Sequence, residues 1–206
     1  MKRLSTTREI INKFLPHIEG RVLDLGAGSA KYKELISSKT ESYLACDAVK
    51  NENIDDVCDV LNLHYPEESF DTVISTQVME HVKNPLLMAS QINKVLKMGG
   101  KVIITAPFLI PMHSDPDDYF RFTKNGLSEI FKQSGFAIIE SGGYGGFPIV
   151  ISEIIHFSWF NPYKRQSAWA DRTMRLIEKI AVFFDKVFPS EIIFSNSYIV
   201  AQKIKK

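Results

Sequence analysis

The stretch that most constrains the fold of this chain is residues 21–30, with the sequence RVLDLGAGSA. Val22, Leu23 and Leu25 surround a single acid, and two glycines follow with one residue between them. The next residues, 31–36, have helical character. This order predicts a short buried strand, a tight glycine turn and the start of a helix. In an open α/β sheet such a turn lies at the carboxyl end of its strand, where ligands bind.

The glycine turn favours one kind of ligand over another. Gly26 and Gly28 can adopt backbone angles that other residues avoid, and a ligand can lie against a main chain that carries no Cβ. A dinucleotide-binding turn has a third glycine, whereas Lys31 stands at that position here. An acid about 20 residues further on is expected to bind a ribose, and Asp47 follows the apolar run 43–46. The pattern therefore favours an adenosine ribose and disfavours a dinucleotide.

Strands and helices alternate along most of the chain. The predicted strands are residues 21–25, 42–46, 56–58, 70–75, 101–106, 136–140 and 197–203, and the predicted helices lie within 1–19, 29–38, 85–96 and 123–134. Pro85 and Thr123 are expected to begin the last two helices. Alternation with short crossovers predicts a doubly wound, mostly parallel α/β sheet. With 206 residues, 45% of them hydrophobic, the chain is expected to form a single domain, 1–206.

The segment 142–196 does not follow this alternation. It begins with a glycine-rich stretch, 142–146, that is expected to act as a hinge, and it continues with many apolar and aromatic residues. A helical pattern over 168–188 places Leu176, Ile180 and Phe183 on one side and charged residues on the other. The segment is predicted to be a helical insertion that covers the sheet edge and the acceptor site. The alternative is that residues 147–188 contact a membrane surface or an apolar acceptor.

Composition excludes several functional classes. The net charge is +1 and no long basic run precedes the C-terminal sequence KIKK, so no nucleic-acid partner is predicted. Cys46 and Cys58 end apolar runs and are expected to be buried thiols in a reducing compartment. No signal peptide and no apolar run of about 18 residues is visible. We therefore expect a cytoplasmic protein, peripheral at the membrane if residues 147–188 contact lipid, and the sequence makes no prediction of its oligomeric state.

Four motifs together resemble one known family. VLDLGAGSA followed by YLACD resembles the first two motifs of the class I S-adenosylmethionine-dependent methyltransferases, and SFDTVIS resembles their fourth-strand motif. Residues 92–102 resemble the family signature of a leucine, a lysine, a glycine pair and a strand. The resemblance runs from about 22 to 136 and extends to the small bacterial type 11 group. It implies a seven-stranded sheet with an antiparallel last strand, S-adenosyl-L-methionine as cofactor and S-adenosyl-L-homocysteine as product. It also implies methyl transfer to oxygen or nitrogen of a small, sugar-linked or lipid-linked acceptor.

The same resemblance implies a set of cofactor-binding residues. Asp47 would accept hydrogen bonds from both ribose hydroxyls, and Asp59 with Val60 would meet the adenine edge, although Asp59 could equally be a loop-capping acid. The full implied set is Asp24, Gly26, Ala27, Gly28, Asp47, Ala48, Asp59, Val60, Ser75 and Gln77.

A metal site is considered at Glu80-His81. In some ubiquinone O-methyltransferases and small-RNA 2′-O-methyltransferases, a glutamate and a Glu-His pair in this region help to hold a divalent metal. Here the first acid is replaced by Gln77, and a neutral amide is a much poorer ligand for a hard cation. The sequence therefore predicts no metal.

The stretch 111–123 follows the fifth strand and so lies over the same edge as the glycine turn. It resembles an insert of the type 11 group in which histidine, proline, aspartate and arginine recur in this order. His113 is the candidate catalytic base, since its ordinary pKa is close to neutral pH. His113, Asp115, Tyr119 and Arg121 are the candidate acceptor-binding residues. The alternative is a polar loop that a pair between Asp118 and Arg121 holds in place.

Two other functions remain open at this point. One is a partner subunit that binds S-adenosylmethionine but has no transferase activity. The other, disfavoured by Lys31, is an NAD-dependent oxidoreductase.

Overall fold

The computed structural model describes residues 4–113, 117–160, 167–188 and 192–205. The helices are α1 (Thr7–Phe14), α2 (Lys33–Ser37), α3 (Pro85–Val95), α4 (Lys124–Gln133), α5 (Phe147–Ile155) and α6 (Ala168–Val187). The strands are β1 (Arg21–Leu25), β2 (Ser42–Asp47), β3 (Asp56–Val57), β4 (Phe70–Thr76), β5 (Leu96–Pro107), β6 (Phe136–Tyr144) and β7 (Asn196–Lys203). Short 3-10 turns at Leu15–His17 and Met79–His81 and a π-helical turn at His156–Phe160 complete the described elements.

The seven strands form one sheet in the order β3-β2-β1-β4-β5-β7-β6. β1, β2, β3, β4 and β5 pair in parallel, and β7 runs antiparallel to both of its neighbours. The predicted doubly wound sheet with an antiparallel last strand is therefore confirmed.

The alternation of side chains along β1 shows how the sheet divides the core. Leu23 and Leu25 point into a cluster covered by α3 and α4. Val22 points to the opposite face, where α1 and α2 pack. All three side chains are fully buried, as expected for a central strand of a parallel sheet with helices on both faces.

Helix starts follow the capping signals of the sequence. Asn84 precedes Pro85 and its side-chain oxygen accepts a hydrogen bond of 3.1 Å from the Leu87 amide. Thr123 caps α4 in the same way, accepting from the Gly126 amide at 3.0 Å. Such caps satisfy amide groups that have no partner inside the first helical turn. The predictions at Pro85 and Thr123 are confirmed.

Two predicted boundaries were wrong. The helix expected over 29–38 is reduced to Lys33–Ser37, because residues 27–32 form a turn in which Ala30 has a φ of +50°. β5 begins at Leu96, five residues before the predicted start at Lys101, and contains an irregular pairing with β4. Both differences lie at element ends, where local pattern gives least information.

The two cysteines are buried as predicted. Their side chains lie against each other, with the Cα atoms 5.9 Å apart. The parallel pairing of β2 with β3 places Asp56 beside Cys46 and Val57 beside Asp47, so Cys58 follows directly after the paired residues. The two cysteines are twelve positions apart in the sequence, so their contact depends on a strand pairing that the sequence pattern does not specify.

The hinge predicted over 142–146 is wrong in its first part. Gly142 and Gly143 belong to β6 and pair with Tyr198 and Ser197 of β7. A Cβ on Gly143 would lie 2.2 Å from the Phe194 ring. The glycine therefore makes room for an aromatic ring, and the insertion begins only after Tyr144.

Replacing Gly143 with alanine tests this assignment. We expect Gly143→Ala to destabilise the chain by about 1–3 kcal/mol, the usual cost of overpacking a well-filled site. Ser141→Ala, at an exposed position of the same strand, serves as the matched control and should change stability by less than about 0.5 kcal/mol. Urea unfolding measures both. Equal stability of the two variants would contradict the packing role and restore the hinge.

Within the described residues, no helix combines the length and apolar character needed to cross a membrane.

Candidate cofactor and acceptor site

The site lies where the parallel strands end. The last residues of β1, β2, β4 and β5 are Leu25, Asp47, Thr76 and Pro107, and the loops that follow them share one edge of the sheet. β1 pairs with β2 on one side and with β4 on the other, so the chain leaves β1 and β4 in opposite directions. A crevice at this switch point is where open α/β sheets bind ligands.

The glycine turn after β1 is fixed to β2 by its backbone. The amides of Gly26 and Ala27 donate to the Cys46 carbonyl oxygen at 2.8 and 3.0 Å. Gly26 has a φ of +74°, and a Cβ there would lie 2.4 Å from a methyl carbon of Val78. Gly28 has a φ of +58°, and a Cβ there would meet no atom within 4 Å. The turn therefore presents bare main chain to open space at Gly28, as a ligand-binding turn requires.

Asp47 connects the end of β2 to the glycine turn. Its Oδ2 accepts a hydrogen bond of 2.8 Å from the Gly28 amide, and its Oδ1 accepts one of 3.0 Å from the Val49 amide. Asn51, which the sequence analysis did not single out, donates from Nδ2 to the Gly28 carbonyl oxygen at 2.9 Å. Each carboxylate oxygen has two lone pairs. Asp47 can therefore accept further hydrogen bonds while it positions the turn.

Asp24 lies beneath the turn. Its side chain is only 2% exposed, and the Tyr43 hydroxyl donates a hydrogen bond to its Oδ2. Burial raises the pKa of Asp24 to about 6, while the Tyr43 hydrogen bond and the nearby Lys31 charge act in the opposite direction. The carboxyl group thus connects β1 to β2 inside the fold, and its predicted role in holding the turn or the cofactor stays a prediction.

The residues expected near adenine lie in the loop after β3. Asp59 is exposed and its Oδ1 accepts a hydrogen bond of 2.8 Å from the Leu61 amide, which is the loop-capping arrangement considered above. Val60 packs against the main core cluster, and Ala48 is exposed after β2. Contact of these three residues with a cofactor stays a prediction.

Ser75 and Gln77 make contacts inside the fold. The Ser75 hydroxyl donates to the Leu25 carbonyl oxygen at 2.7 Å, which ties the ends of β4 and β1 together. Gln77 has a φ of +58°, and its Nε2 donates to Thr105 Oγ1 at 3.1 Å and to the Tyr144 hydroxyl at 3.3 Å. Their predicted role at the methionine portion of the cofactor would use their remaining polar atoms.

Glu80 is the most unusual charged group of this edge. Its side chain is fully buried, and neither of its oxygens has a hydrogen-bond partner among the described residues. Burial raises its pKa to about 8. His81 and His113 flank it, with their Nε2 atoms 3.7 and 3.9 Å from Oε1. Glu80 and His113 are 33 positions apart in the sequence, and only the meeting of the loops after β4 and β5 brings them together.

Arg121 holds the loop after β5. Its five N–H groups all donate within that loop: two to the carboxylate of Asp118, and one each to the carbonyl oxygens of Ile110, Pro111 and Phe120. The Asp118 side chain is 1% exposed, and the Arg121 hydrogen bond is the main contribution that lowers its pKa against the effect of burial. These bonds fit the loop-holding alternative. A contact of Arg121 with the acceptor stays a prediction and would have to replace one of these hydrogen bonds.

The other candidate acceptor-binding residues are Asp115 and Tyr119. Asp115 lies outside the described residues. Tyr119 is partly exposed and its hydroxyl donates to Asp117 Oδ2 at 2.7 Å. Its amide donates to the Glu80 carbonyl oxygen at 2.7 Å, which joins the loop after β5 to the loop after β4.

The insertion forms an open apolar groove. α5 and α6 line a space of about 490 Å³, with side chains that include Phe147, Ile151, Ile155, Ile177, Phe184 and Phe188. α6 buries only a narrow strip, formed by Ala170, Met174, Ala181 and Asp185. The apolar side predicted from the sequence faces outward, with Phe183 63% and Leu176 59% exposed. His113 lies at the base of this insertion, its ring 5.9 Å from that of Phe157.

Comparison with known proteins assigns the fold. The sequence profile of the family described as "Methyltransferase domain" matches residues 23–104, the segment from the glycine turn to β5. A structure of Haemonchus contortus phosphoethanolamine N-methyltransferase 2 with phosphomonomethylethanolamine and S-adenosylhomocysteine superposes with a TM-score of 0.63 at 21% identity, covering 96% of this chain and 52% of that chain. Residues 23–104 therefore have the sequence pattern of this family, and the chain has the fold of the class I S-adenosylmethionine-dependent methyltransferases. The predicted resemblance is confirmed.

Other relatives of this chain differ widely in length. Phosphoethanolamine N-methyltransferase 1 of Arabidopsis thaliana is 26% identical over 89% of this chain, but the match spans only 39% of that protein. A Haloferax volcanii structure, described as a complex between the Trm112 methyltransferase activator and the putative methyltransferase, has a TM-score of 0.63 at 16% identity and covers 97% of this chain and 89% of that chain. The chain thus corresponds to about two fifths of the plant enzyme and about half of the Haemonchus enzyme.

Proposed function

We propose that this methyltransferase transfers a methyl group from S-adenosyl-L-methionine to an oxygen or nitrogen of a small, sugar-linked or lipid-linked acceptor. The observation that carries the proposal is the joined unit of glycine turn and Asp47, in which a carboxylate at the end of β2 accepts from the Gly28 amide. The bare main chain at Gly28 and the free lone pairs of Asp47 fit an adenosyl group with its ribose diol.

The cofactor, when bound, supplies a methyl group activated on a sulfonium. The protein then has to align the acceptor for in-line attack and exclude water. An acceptor hydroxyl or ammonium also has a proton to lose, and the imidazole of His113 is the nearest candidate to receive it on the loop after β5. The side chain of His113 is 18% exposed, so it is accessible from the crevice yet held in a fixed place.

An assay of S-adenosylhomocysteine release tests this proposal. The full chain is incubated with S-adenosylmethionine and separate polar and lipid extracts. We expect release that depends on one class of extract. Cofactor binding without release in any extract would instead favour the inactive partner subunit.

Among the three proposed classes of acceptor, the insertion favours a lipid-linked one. The exposed apolar stripe of α6 continues the groove, and Trp169 and Trp159 are 72% and 77% exposed. Tryptophan side chains favour the boundary between lipid and water. At 100° per residue, Arg172, Arg175 and Lys179 follow one edge of this stripe, and all three are exposed.

Of the two acids in the second half of α6, Glu178 is exposed, but Asp185 lies away from the basic edge. Asp185 is fully buried, where its carboxylate accepts hydrogen bonds from the Ser5 hydroxyl at 2.7 Å and the Gly146 amide at 2.8 Å. The exposed side of α6 is therefore more basic than the sequence alone indicates. A basic edge beside an exposed apolar stripe fits a helix that lies in an anionic membrane surface.

Vesicle flotation tests the membrane contact. We expect the protein to float with anionic phosphatidylglycerol vesicles and to remain at the bottom with neutral phosphatidylcholine vesicles. Replacing Arg172, Arg175 and Lys179 together with glutamate should abolish flotation, since each basic residue near an anionic surface contributes about 1 kcal/mol.

A matched control makes the same charge change elsewhere. Lys39, Lys124 and Lys132 are exposed outside the insertion, and their replacement with glutamate should leave flotation intact. Wild-type protein that stays at the bottom with anionic vesicles, or equal losses in the two triple variants, would contradict the membrane contact and leave the groove as a roof over the acceptor.

A further inference from the structure

Three atoms that can each donate a lone pair to a metal ion face one another at the carboxyl edge of the sheet. They are the Oε1 atom of Glu80 and the Nε2 atoms of His81 and His113, and the ligand atoms of the three residues lie within 4.8 Å of one another. The Glu80 side chain is fully buried, and those of the histidines are 20% and 18% exposed. Neither Glu80 oxygen has a hydrogen-bond partner among the described residues, and an unsatisfied buried carboxyl group is costly.

The backbone fixes the orientation of both imidazole rings. His81 Nδ1 lies 2.5 Å from the carbonyl oxygen of Asp117, and His113 Nδ1 lies 3.2 Å from that of Pro111. A carbonyl oxygen only accepts, so each Nδ1 carries the proton and each Nε2 directs a lone pair toward Glu80. Arg121 Nη2 also approaches His113 Nδ1, but at 3.5 Å it is too far to reverse this assignment. Carbonyl groups that fix the Nδ1 proton are typical of metal-binding histidines.

We propose that Glu80, His81 and His113 bind a divalent transition-metal ion, with Zn²⁺ as the representative of the class. The Nε2 atoms lie 3.7 and 3.9 Å from Oε1, whereas bonds of about 2.0–2.1 Å in a tetrahedral site place ligand atoms about 3.4 Å apart. Closing this difference needs only small side-chain movements. Two imidazoles and one carboxylate suit zinc, iron or cobalt, while magnesium and calcium prefer an all-oxygen set.

The ligand set differs from the one that the sequence suggested. Gln77 is directed toward Thr105 and Tyr144, so it is no ligand and its neutral amide is no argument against a site. His113, from the loop after β5, supplies the third ligand instead. Three protein ligands leave a coordination position free for water or for an acceptor atom, as in catalytic sites. The binding itself does not depend on the proposed methyl transfer. With the ion bound, His113 Nε2 is a ligand, so the role of His113 as proton acceptor applies to the chain without the ion.

Calorimetric titration of the chelator-treated full chain tests the proposal, with ZnCl₂ and MgCl₂ as separate titrants. We expect one Zn²⁺ per chain and no binding of Mg²⁺ at the same concentrations. His113→Asn and Glu80→Gln should each weaken Zn²⁺ binding by at least ~100-fold, since loss of an outer-shell partner alone costs 10–100-fold. Co²⁺ titration should give a visible absorption spectrum that both variants lose.

His64→Asn is the matched control. His64 is exposed and pairs with Asp56 far from the cluster, so its removal should leave Zn²⁺ and Co²⁺ binding unchanged. Near-ultraviolet circular dichroism verifies that each variant folds. If Glu80→Gln does not fold, His81→Asn and His113→Asn, both at partly exposed positions, decide the question. Absence of stoichiometric Zn²⁺ binding to the wild-type chain would overturn the proposal. Wild-type affinity for Zn²⁺ in the folded histidine variants would also overturn it. In either case the cluster would hold only a proton.

Discussion

S-adenosylhomocysteine at a free concentration of ~100 times its dissociation constant is expected to stabilise the folded chain by about 2.7 kcal/mol. The reason is that the glycine turn and Asp47 form one ligand-binding unit in the folded state, and that unit does not exist in the unfolded chain. NAD at the same concentration should give no stabilisation, because Lys31 occupies the position of the third glycine. Chemical unfolding with and without each ligand measures the difference.

Two substitutions test this unit. Asp47→Ala should remove most of the stabilisation by S-adenosylhomocysteine, since it removes both the ribose acceptor and the partner of the Gly28 amide. Gly26→Val should damage both the turn and the fold, because its Cβ would lie 2.4 Å from a Val78 methyl carbon at a φ of +74°. Asp59→Ala serves as the comparison for the adenine side, where one carboxylate oxygen already caps the loop. Stabilisation by NAD without any by S-adenosylhomocysteine would contradict the assignment.

The second large effect is expected at His113. His113→Ala should lower the turnover number by ~10²-fold or more, the usual contribution of a positioned acid or base. The affinity for S-adenosylhomocysteine should stay nearly unchanged, because His113 belongs to the loop after β5 and not to the glycine turn. Turnover from S-adenosylhomocysteine release and affinity from calorimetry check the two halves of this prediction.

The conservative variant distinguishes chemistry from loop shape. His113→Asn can still donate to the carbonyl oxygen of Pro111, which the ring now contacts, but it cannot accept a proton near neutral pH. If His113 only shapes the loop, His113→Asn should keep most of the activity. Loss of cofactor affinity in step with activity would show that the residue supports the fold or the cofactor site.

The sheet could be predicted because its signals are local. Buried strands such as β1 and β4 are continuous apolar runs next to turn residues, and their alternation with helices determines a parallel order. In that order the carboxyl ends of the parallel strands share one edge of the sheet, and the ligand is expected to bind at that edge. The glycine turn and Asp47 were predictable for the same reason, since a strand end and a short turn place them together.

The remaining parts of the site depend on contacts between distant residues. Glu80 and His113 meet only because two loops converge above β4 and β5, and no periodic pattern reports that distance. The apolar stripe of α6 was visible in the sequence, but a hydrophobic face does not reveal whether it packs or stays exposed. Gly143 was interpreted as a hinge because a glycine gives the same local signal whether it allows motion or makes room for a ring.

The proposed methyl transfer is tested most directly with S-adenosylmethionine that carries an isotope-labelled methyl group. The full chain is incubated with it, and the acceptor fraction is examined by mass spectrometry. We expect a labelled methyl group on an oxygen or nitrogen of an acceptor. Asp47→Ala and His113→Ala should both suppress the product, the first through cofactor affinity and the second through turnover. Tight binding of S-adenosylhomocysteine together with no labelled product and no consumption of S-adenosylmethionine in any fraction would contradict the proposed methyl transfer.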